Sequence, residues 1–460
     1  MHIATMLRVL LLGAATGVAG AAQAAKPAQP ACITTETEPN NTIAQANLNL
    51  CPGTAVNGAI GSALDVDWYR VNVPNPGTIS LSLSHAAGID LDWYLTDAAG
   101  TDVASGASLG NPENGTYNAT AAGTYYVRVR SNAGTGSYGL SVTLSGATTP
   151  ACTFPKKVNL GKTGNATPKA TATVGGAVLM GGGLDVDEAF KWMIARSGGG
   201  DFVILRSSGT NAYNDWIYAM GGVNSVQTLL IANTTDANDA CVVSTIRNAA
   251  AVFLAGGDQA NYINYFKGQG VGNALNYLIN TKGAPVGGTS AGMAVMGQFY
   301  HPGGAADNTS VLANPTAIAV GNNFIANPVL ANLVTDQHFT QRTRQPRLVS
   351  FMASSIYNLG AGWAGMKGVG ADENTAVVVD TSGAGQVYGS GNAFFVRGTD
   401  SPEVLQPATP LTWYRAAQAL RVYKVPGTAT GANTFNLINW TGTGGTTGYW
   451  SSNNGNWLMN

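Results

Sequence analysis

The order of apolar runs and turn residues predicts two folds in tandem. An all-β sandwich is expected over residues 25–146, then an α/β domain over 161–425 built on a doubly wound, mostly parallel sheet. Short alternating runs separated by Gly, Asn, Pro and Asp fill the first part, with no helical period of useful length. Beyond a Thr/Pro/Ala linker (147–160), strand-like and helix-like runs alternate, as in a parallel sheet covered by helices on both faces. The 460 residues, 45% apolar and only 10% charged, suffice for more than one sizeable core.

At the N-terminus Arg8 precedes an apolar run, Val9–Ala19, and a small-residue site follows at Ala22-Gln23-Ala24. This reads as a secretory signal peptide over residues 1–24, which directs the mature chain to the periplasm or the exterior. No later apolar run reaches the roughly 18 residues that a membrane span needs, so none is expected. Export makes disulfides the default for Cys32, Cys51, Cys152 and Cys241. Three connectivities exist, and pairing Cys32 with Cys51 and Cys152 with Cys241 avoids crossing a domain boundary. A formal net charge of −1 argues against a nucleic-acid partner, which needs a basic surface. The apolar content argues against a disordered chain.

Strand runs in the first domain are Asp67–Val73, Thr78–Leu83, Leu91–Leu95, Tyr125–Val129 and Tyr138–Leu144. Asp65 and Asp67 offer oxygen ligands that suit calcium, although a solvated turn entering the strand is the simpler reading. In the second domain Val174–Met180 reads as a strand ending in Gly181-Gly182-Gly183, and Asp187–Ser197 as an amphipathic helix. Phe202–Leu205 and Val226–Ile231 read as strands, Asn238–Ala249 as a helix, and Ala250–Ala255 as a buried strand with helical stretches to Asn280. Ala284–Val286 is a further strand and Met293–Tyr300 a helix. Sites in such sheets gather at the carboxyl ends of strands, where the glycines at 181, 256 and 287 would open. The 181 triplet and Gly161-Lys162-Thr163 lack the rest of a phosphate-binding loop and read as plain turns. Residues 426–460 are a tail rich in Gly, Thr, Asn and Trp, expected either as a small β appendage or lying against the sheet.

The chemistry centres on Gly287-Gly288-Thr289-Ser290-Ala291-Gly292. A G-x-S-x-G step between strand and helix is the elbow that exposes a nucleophilic serine hydroxyl. Backbone N–H groups near Gly257 and at Ala291 would form the oxyanion hole. Of four histidines, His2 falls in the signal peptide, His85 in the β region, and His301 beyond the helix that Ser290 opens. His338, in a polar burst ending an apolar stretch, is therefore the expected base. The acid that orients it stays open between Asp307, in a glycine-rich loop, and Glu373, after Gly368-Val369-Gly370. Arg342, Arg344 and Arg347 stand close together and suit bidentate carboxylate binding; the plain alternative is a solvated helix face. Asp336 suits a guanidinium or caps a turn.

Two resemblances add to this. Glu36-Thr37-Glu38-Pro39-Asn40-Asn41-Thr42, Asp65–Val71 and Gly123–Val129 resemble the bacterial pre-peptidase C-terminal domain, a jelly-roll-like accessory module of secreted peptidases. Phe253–Gln259, Gly288–Gly292, Asp336–Arg342 and Gly370–Ala376 are similar to four signature blocks of the cyanophycinase family, across roughly residues 174–423. That resemblance implies a class I glutamine amidotransferase-like fold and serine exopeptidase activity on cyanophycin, a polyaspartate bearing arginine on each side chain. It implies Ser290 as nucleophile, His338 as base and Glu373, rather than Asp307, as acid. Gln259, Asp336, Gln337, Arg342, Arg344 and Arg347 match positions that bind the β-Asp-Arg unit. No cofactor or metal is implied, and related enzymes are commonly dimers. Rival readings are a peptidase for other aspartyl peptides, an α/β-hydrolase-like esterase using Asp307, and a non-catalytic polymer-binding protein.

Overall fold

In a computed structural model, the structure describes residues 32–48, 50–73, 76–119, 123–146, 153–304, 306 and 310–460. The expected signal peptide, Cys152 and Asp307 lie outside the described residues. The chain divides into two compact units, residues 1–151 and 152–460.

The first unit holds two four-stranded antiparallel sheets. One orders Ala55–Ile60, Gly136–Gly146, Gly77–His85 and Glu113–Ala119; the other orders Val66–Val73, Gly123–Ala133, Asp90–Thr96 and Asp102–Gly106. Period-two alternation drives the packing, since successive side chains on a strand face opposite ways. Ile79, Leu81 and Leu83 point inward with Tyr69, Trp93 and Val127. All five expected runs are strands. Of the three not read individually, Asp102–Gly106 and Glu113–Ala119 carry few apolar side chains, and Ala55–Ile60 is short and interrupted by Asn57-Gly58. Cys32 and Cys51 are disulfide-bonded. Cys241 is also in a disulfide, while its expected partner Cys152 lies outside the described residues.

The second unit contains a ten-stranded and an eight-stranded sheet. Five consecutive strands of the larger sheet and three of the smaller pair in parallel, the expected parallel core, and antiparallel strands extend both into mixed sheets. In the larger, Gly176–Met180, Pro285–Thr289, Ala251–Leu254, Asp201–Arg206 and Ser225–Leu230 pair in parallel. These central strands are almost wholly buried, as expected of strands covered on both faces. Phe190, Met193, Ile217 and Phe253 pack on one side, and Val242, Ile246, Tyr262 and Leu275 belong to the other main core. In the smaller sheet Leu333–Asp336 runs parallel to Lys367–Ala371. The segment Asp372–Asn374 then crosses to Thr375–Asp380, which pairs antiparallel with Gly176–Met180 in the larger sheet.

One expectation needs correction. Residues 293–300 are not one helix. Helix Ala291–Ala294 stops after one turn, and Phe299–Tyr300 pairs as a strand. Gly297 lies so close to the backbone of Leu333 that a Cβ there would sit 2.4 Å from its carbonyl oxygen, which favours sheet association over helix. Residues 426–460 join the sheets, one of the two arrangements left open for them. Thr434–Asn436 and Thr441–Thr443 extend the larger sheet, while Thr446–Asn453 and Asn456–Met459 complete the smaller. Among the described residues no helix is long and apolar enough to cross a membrane.

Candidate active site

Ser290 follows the carboxyl end of the central strand Pro285–Thr289 and has φ 51° and ψ −116°. A non-glycine residue with positive φ is strained, and this bend lifts the hydroxyl clear of the sheet as an elbow requires. The close packing behind it explains the small flanking residues. A Cβ on Gly292 would lie 2.1 Å from the Leu254 carbonyl oxygen. Gly256, just past the neighbouring strand, faces the Ser290 side chain, with a would-be Cβ 3.5 Å from the serine Cβ.

His338 and Glu373 come from the other sheet, each two residues past the carboxyl end of adjacent parallel strands. Ser290 Oγ lies 2.7 Å from His338 Nε2. On the far side of the ring, His338 Nδ1 lies 2.6 Å from Glu373 Oε1. The His338 side chain is 11% exposed, whereas the Glu373 side chain remains one-third exposed at 33%. Burial lowers the His338 pKa below its ordinary value, and the charges of Arg342 and Arg344 push the same way against the hydrogen bond to Glu373. The ring is therefore neutral, and able to accept a proton, at neutral pH.

The two segments are fastened together by Asp372, itself 1% exposed. Its Oδ1 accepts from Thr340 N and Oγ1 at 2.9 and 2.7 Å, and its Oδ2 from Asn392 N and Nδ2, both at 3.0 Å. Glu373 N donates to Gln341 Oε1 at 3.0 Å. Charge-assisted bonds of this kind are the stronger ones, and they fix the spacing of base and acid.

The glycine triplet at 181–183, read from sequence as a plain turn, packs against this pair. His338 N donates to Gly181 O at 2.8 Å, and Asn374 N to Gly182 O at 2.8 Å. Gly182 has φ +95°, and a Cβ there would fall 2.4 Å from His338 Cε1. Only glycine leaves room for the ring. The signal available in the sequence was the position of the triplet, directly after a central strand on the same edge as the elbow.

The expected substrate-binding residues divide. Asp336 is fully buried and pairs bidentately with Arg347, whose Nε donates to Oδ2 at 2.9 Å and Nη2 to Oδ1. These two satisfy each other, which does not fit an Asp336 that holds a substrate guanidinium. Arg344 donates to Gln337 O at 2.8 Å and lies 3.7 Å from Asp336 Oδ1. Burial pushes its pKa down to about 10, still cationic at neutral pH. Gln337 is buried, whereas Arg342 is exposed. Gln259 opens a helix capped by Asp258, next to Gly257. His301 is buried elsewhere, stacked on Phe351 with Nδ1 2.8 Å from Ala319 O.

Residues 215–387 match the model of peptidase family S51. That span holds Ser290, His338 and Glu373. Residues 65–131 match the bacterial pre-peptidase C-terminal domain. Curated relatives include cyanophycinases of Nostoc sp. (strain PCC 7120 / SAG 25.82 / UTEX 2576), 27% identical over 191 residues, and of Synechococcus elongatus, 28% identical over 187. The alignments cover 42% and 40% of this chain and 59% and 52% of those relatives, so the chain spans only part of the proteins it matches. Among solved structures, a peptidase from an acI-B1 Actinobacterium is similar at 15% identity and TM-score 0.39, over 58% of this chain and 98% of that one. At that distance the likeness does not bear on function.

Proposed function

We propose that this chain is an exported serine exopeptidase of cyanophycinase type, cutting cyanophycin to β-Asp-Arg dipeptides. The observation that carries the reading is the continuous relay Ser290–His338–Glu373, with contacts of 2.7 and 2.6 Å. In the proposed reaction His338 Nε2 takes the Ser290 proton as Oγ attacks the scissile aspartyl carbonyl. Glu373, bonded to Nδ1, stabilises the imidazolium that forms. The N–H groups of Gly257 and Ala291 receive the developing oxyanion. His338 then protonates the leaving amine, and water, deprotonated by the same ring, releases the acyl group from Ser290. No step calls for a cofactor.

Arg342 and Arg344 supply positive charge for the carboxylates of a substrate with one free α-carboxylate per arginyl unit. Asp336 and Arg347, closed on each other, hold Gln337 and Arg344 in place rather than meeting substrate. The cyanophycinase names of the relatives and the pre-peptidase C-terminal match support an extracellular polymer as substrate.

The test is incubation of purified mature protein with insoluble cyanophycin beside Ser290→Ala, measuring β-Asp-Arg release. Release by the wild type alone is expected. If the folded wild type releases nothing from cyanophycin yet cleaves other aspartyl peptides, the substrate assignment falls and the peptidase assignment stands.

A further inference from the structure

Away from the active site, the β-sandwich unit carries a second cluster of carboxylates. Asp90 and Asp92 alternate along strand Asp90–Thr96 and so share a face, while Glu113 begins strand Glu113–Ala119 of the opposite sheet. One carboxylate oxygen from each lies within 4.8 Å of the others. Oxygens around a single calcium at about 2.4 Å can be at most about 4.8 Å apart, so the spacing fits one shared ion.

Acidic residues gather on many surfaces without a ligand, but two of these three are buried and Asp90 is half-buried. Glu113 is 2% exposed and Asp92 5%. Each carboxylate is tethered through one oxygen only. Asn132 Nδ2 donates to Asp90 Oδ2 at 2.8 Å, Tyr94 Oη to Asp92 Oδ2 at 3.2 Å, and Ser108 N and Oγ to Glu113 Oε1. The other oxygen of each, Asp90 Oδ1, Asp92 Oδ1 and Glu113 Oε2, is buried and meets no hydrogen-bond donor among the described residues. Buried acceptors are normally satisfied, and like charges taken out of water together repel. Arg130 stands directly opposite Asp92 across the strands and donates to Tyr94 Oη at 2.6 Å, but among the described residues it forms no salt bridge with any of the three carboxylates.

We infer that Asp90, Asp92 and Glu113 bind a hard divalent cation, calcium, at an edge of the sandwich, with ligands drawn from both of its sheets. An all-oxygen, anionic donor set selects a hard ion. Three converging carboxylates, two of them buried, favour calcium over magnesium, which gives up its water shell reluctantly. The ion would join the two sheets at this edge, and its removal would loosen the first unit. This site is distinct from Asp65 and from the Glu36, Glu38 and Asp67 group, which is separate in sequence and in structure.

Equilibrium dialysis of the full chain against calcium chloride tests the inference, comparing wild type with Glu113→Gln and Asp92→Asn. Both substitutions leave the Glu36, Glu38 and Asp67 group intact. Each variant should bind one calcium fewer than wild type, and the calcium-induced rise in melting temperature of the first unit should shrink. Equal stoichiometry in wild type and folded variants overturns the assignment. Should the variants not fold, anomalous scattering from wild-type crystals grown in calcium decides. A peak among the three carboxylates supports the site; calcium elsewhere only, or none, overturns it.

Discussion

Replacing Gly182 with alanine should disable the active site without touching any member of the relay. The added Cβ would stand 2.4 Å from His338 Cε1, 2.7 Å from Nε2 and 3.0 Å from Nδ1, where ordinary contact begins near 3.4 Å. The ring must therefore retreat by about 1 Å, or the Gly181–Gly183 backbone must move with the bonds it makes to His338 and Asn374. Misplacing a reacting group by about 1 Å can cost on the order of 10²-fold in rate. Alanine at φ +95° also carries backbone strain on the order of 1–3 kcal/mol. Together these predict a loss of at least about 10²-fold in the rate at which a fluorophosphonate modifies Ser290, with a modest fall in melting temperature. The probe reports the nucleophile and base whatever the substrate, so a wrong substrate assignment does not confuse the result. A folded Gly182→Ala protein that reacts within threefold of wild type would refute the placement of the imidazole.

Further outcomes follow from the same geometry. Glu373→Gln keeps the shape but not the charge beside Nδ1, and should lower kcat about 10³-fold or more with little change in stability; a loss under tenfold would remove Glu373 from the relay. Because burial lowers the His338 pKa, the rising limb of kcat/KM should lie below pH 6.5, the ordinary value, as the neutral base forms with increasing pH. A limb above pH 6.5 would contradict the desolvated ring. In the β-sandwich, burial raises the Asp67 carboxyl from 3.8 to about 8. The folded state then binds the proton more tightly than the unfolded one, so this contribution to stability is complete below pH 3.8 and is lost as pH rises through about 8. Calcium-free chemical unfolding should show that decline, and Asp67→Asn should flatten it.

Much of this molecule was legible in its residues, for physical reasons. Alternation in Gly77–His85 and the apolar Ala251–Leu254 run identify strands because one needs a single buried face and the other two. Ser290 was visible through the tight turn around it, and His338 through the scarcity of histidine. The acid was not separable from residue chemistry alone, since Asp307 and Glu373 both follow glycine-rich segments and chain position does not report nearness to an imidazole. Gly182 was invisible for a related reason. Its contribution is the absence of a Cβ beside a ring far along the chain, and only the folded arrangement brings them together. Asp336 and Arg347 looked like ligands because charges are few here, yet they satisfy each other in the interior. Residues 293–300 misled because local pattern favoured helix, while pairing of Phe299 with Val334 decided for strand. Strands such as Thr441–Thr443 escaped because an edge strand needs little apolar content.

The central claim is that Ser290 is a nucleophile activated by His338. Its most direct test is intact-mass analysis and peptide mapping after fluorophosphonate treatment of wild type, Ser290→Ala and His338→Ala proteins. A single adduct on the peptide containing Ser290, absent from Ser290→Ala and nearly absent from His338→Ala, is the predicted result. No adduct on the folded wild type, or equal labelling of the His338 variant, would contradict it.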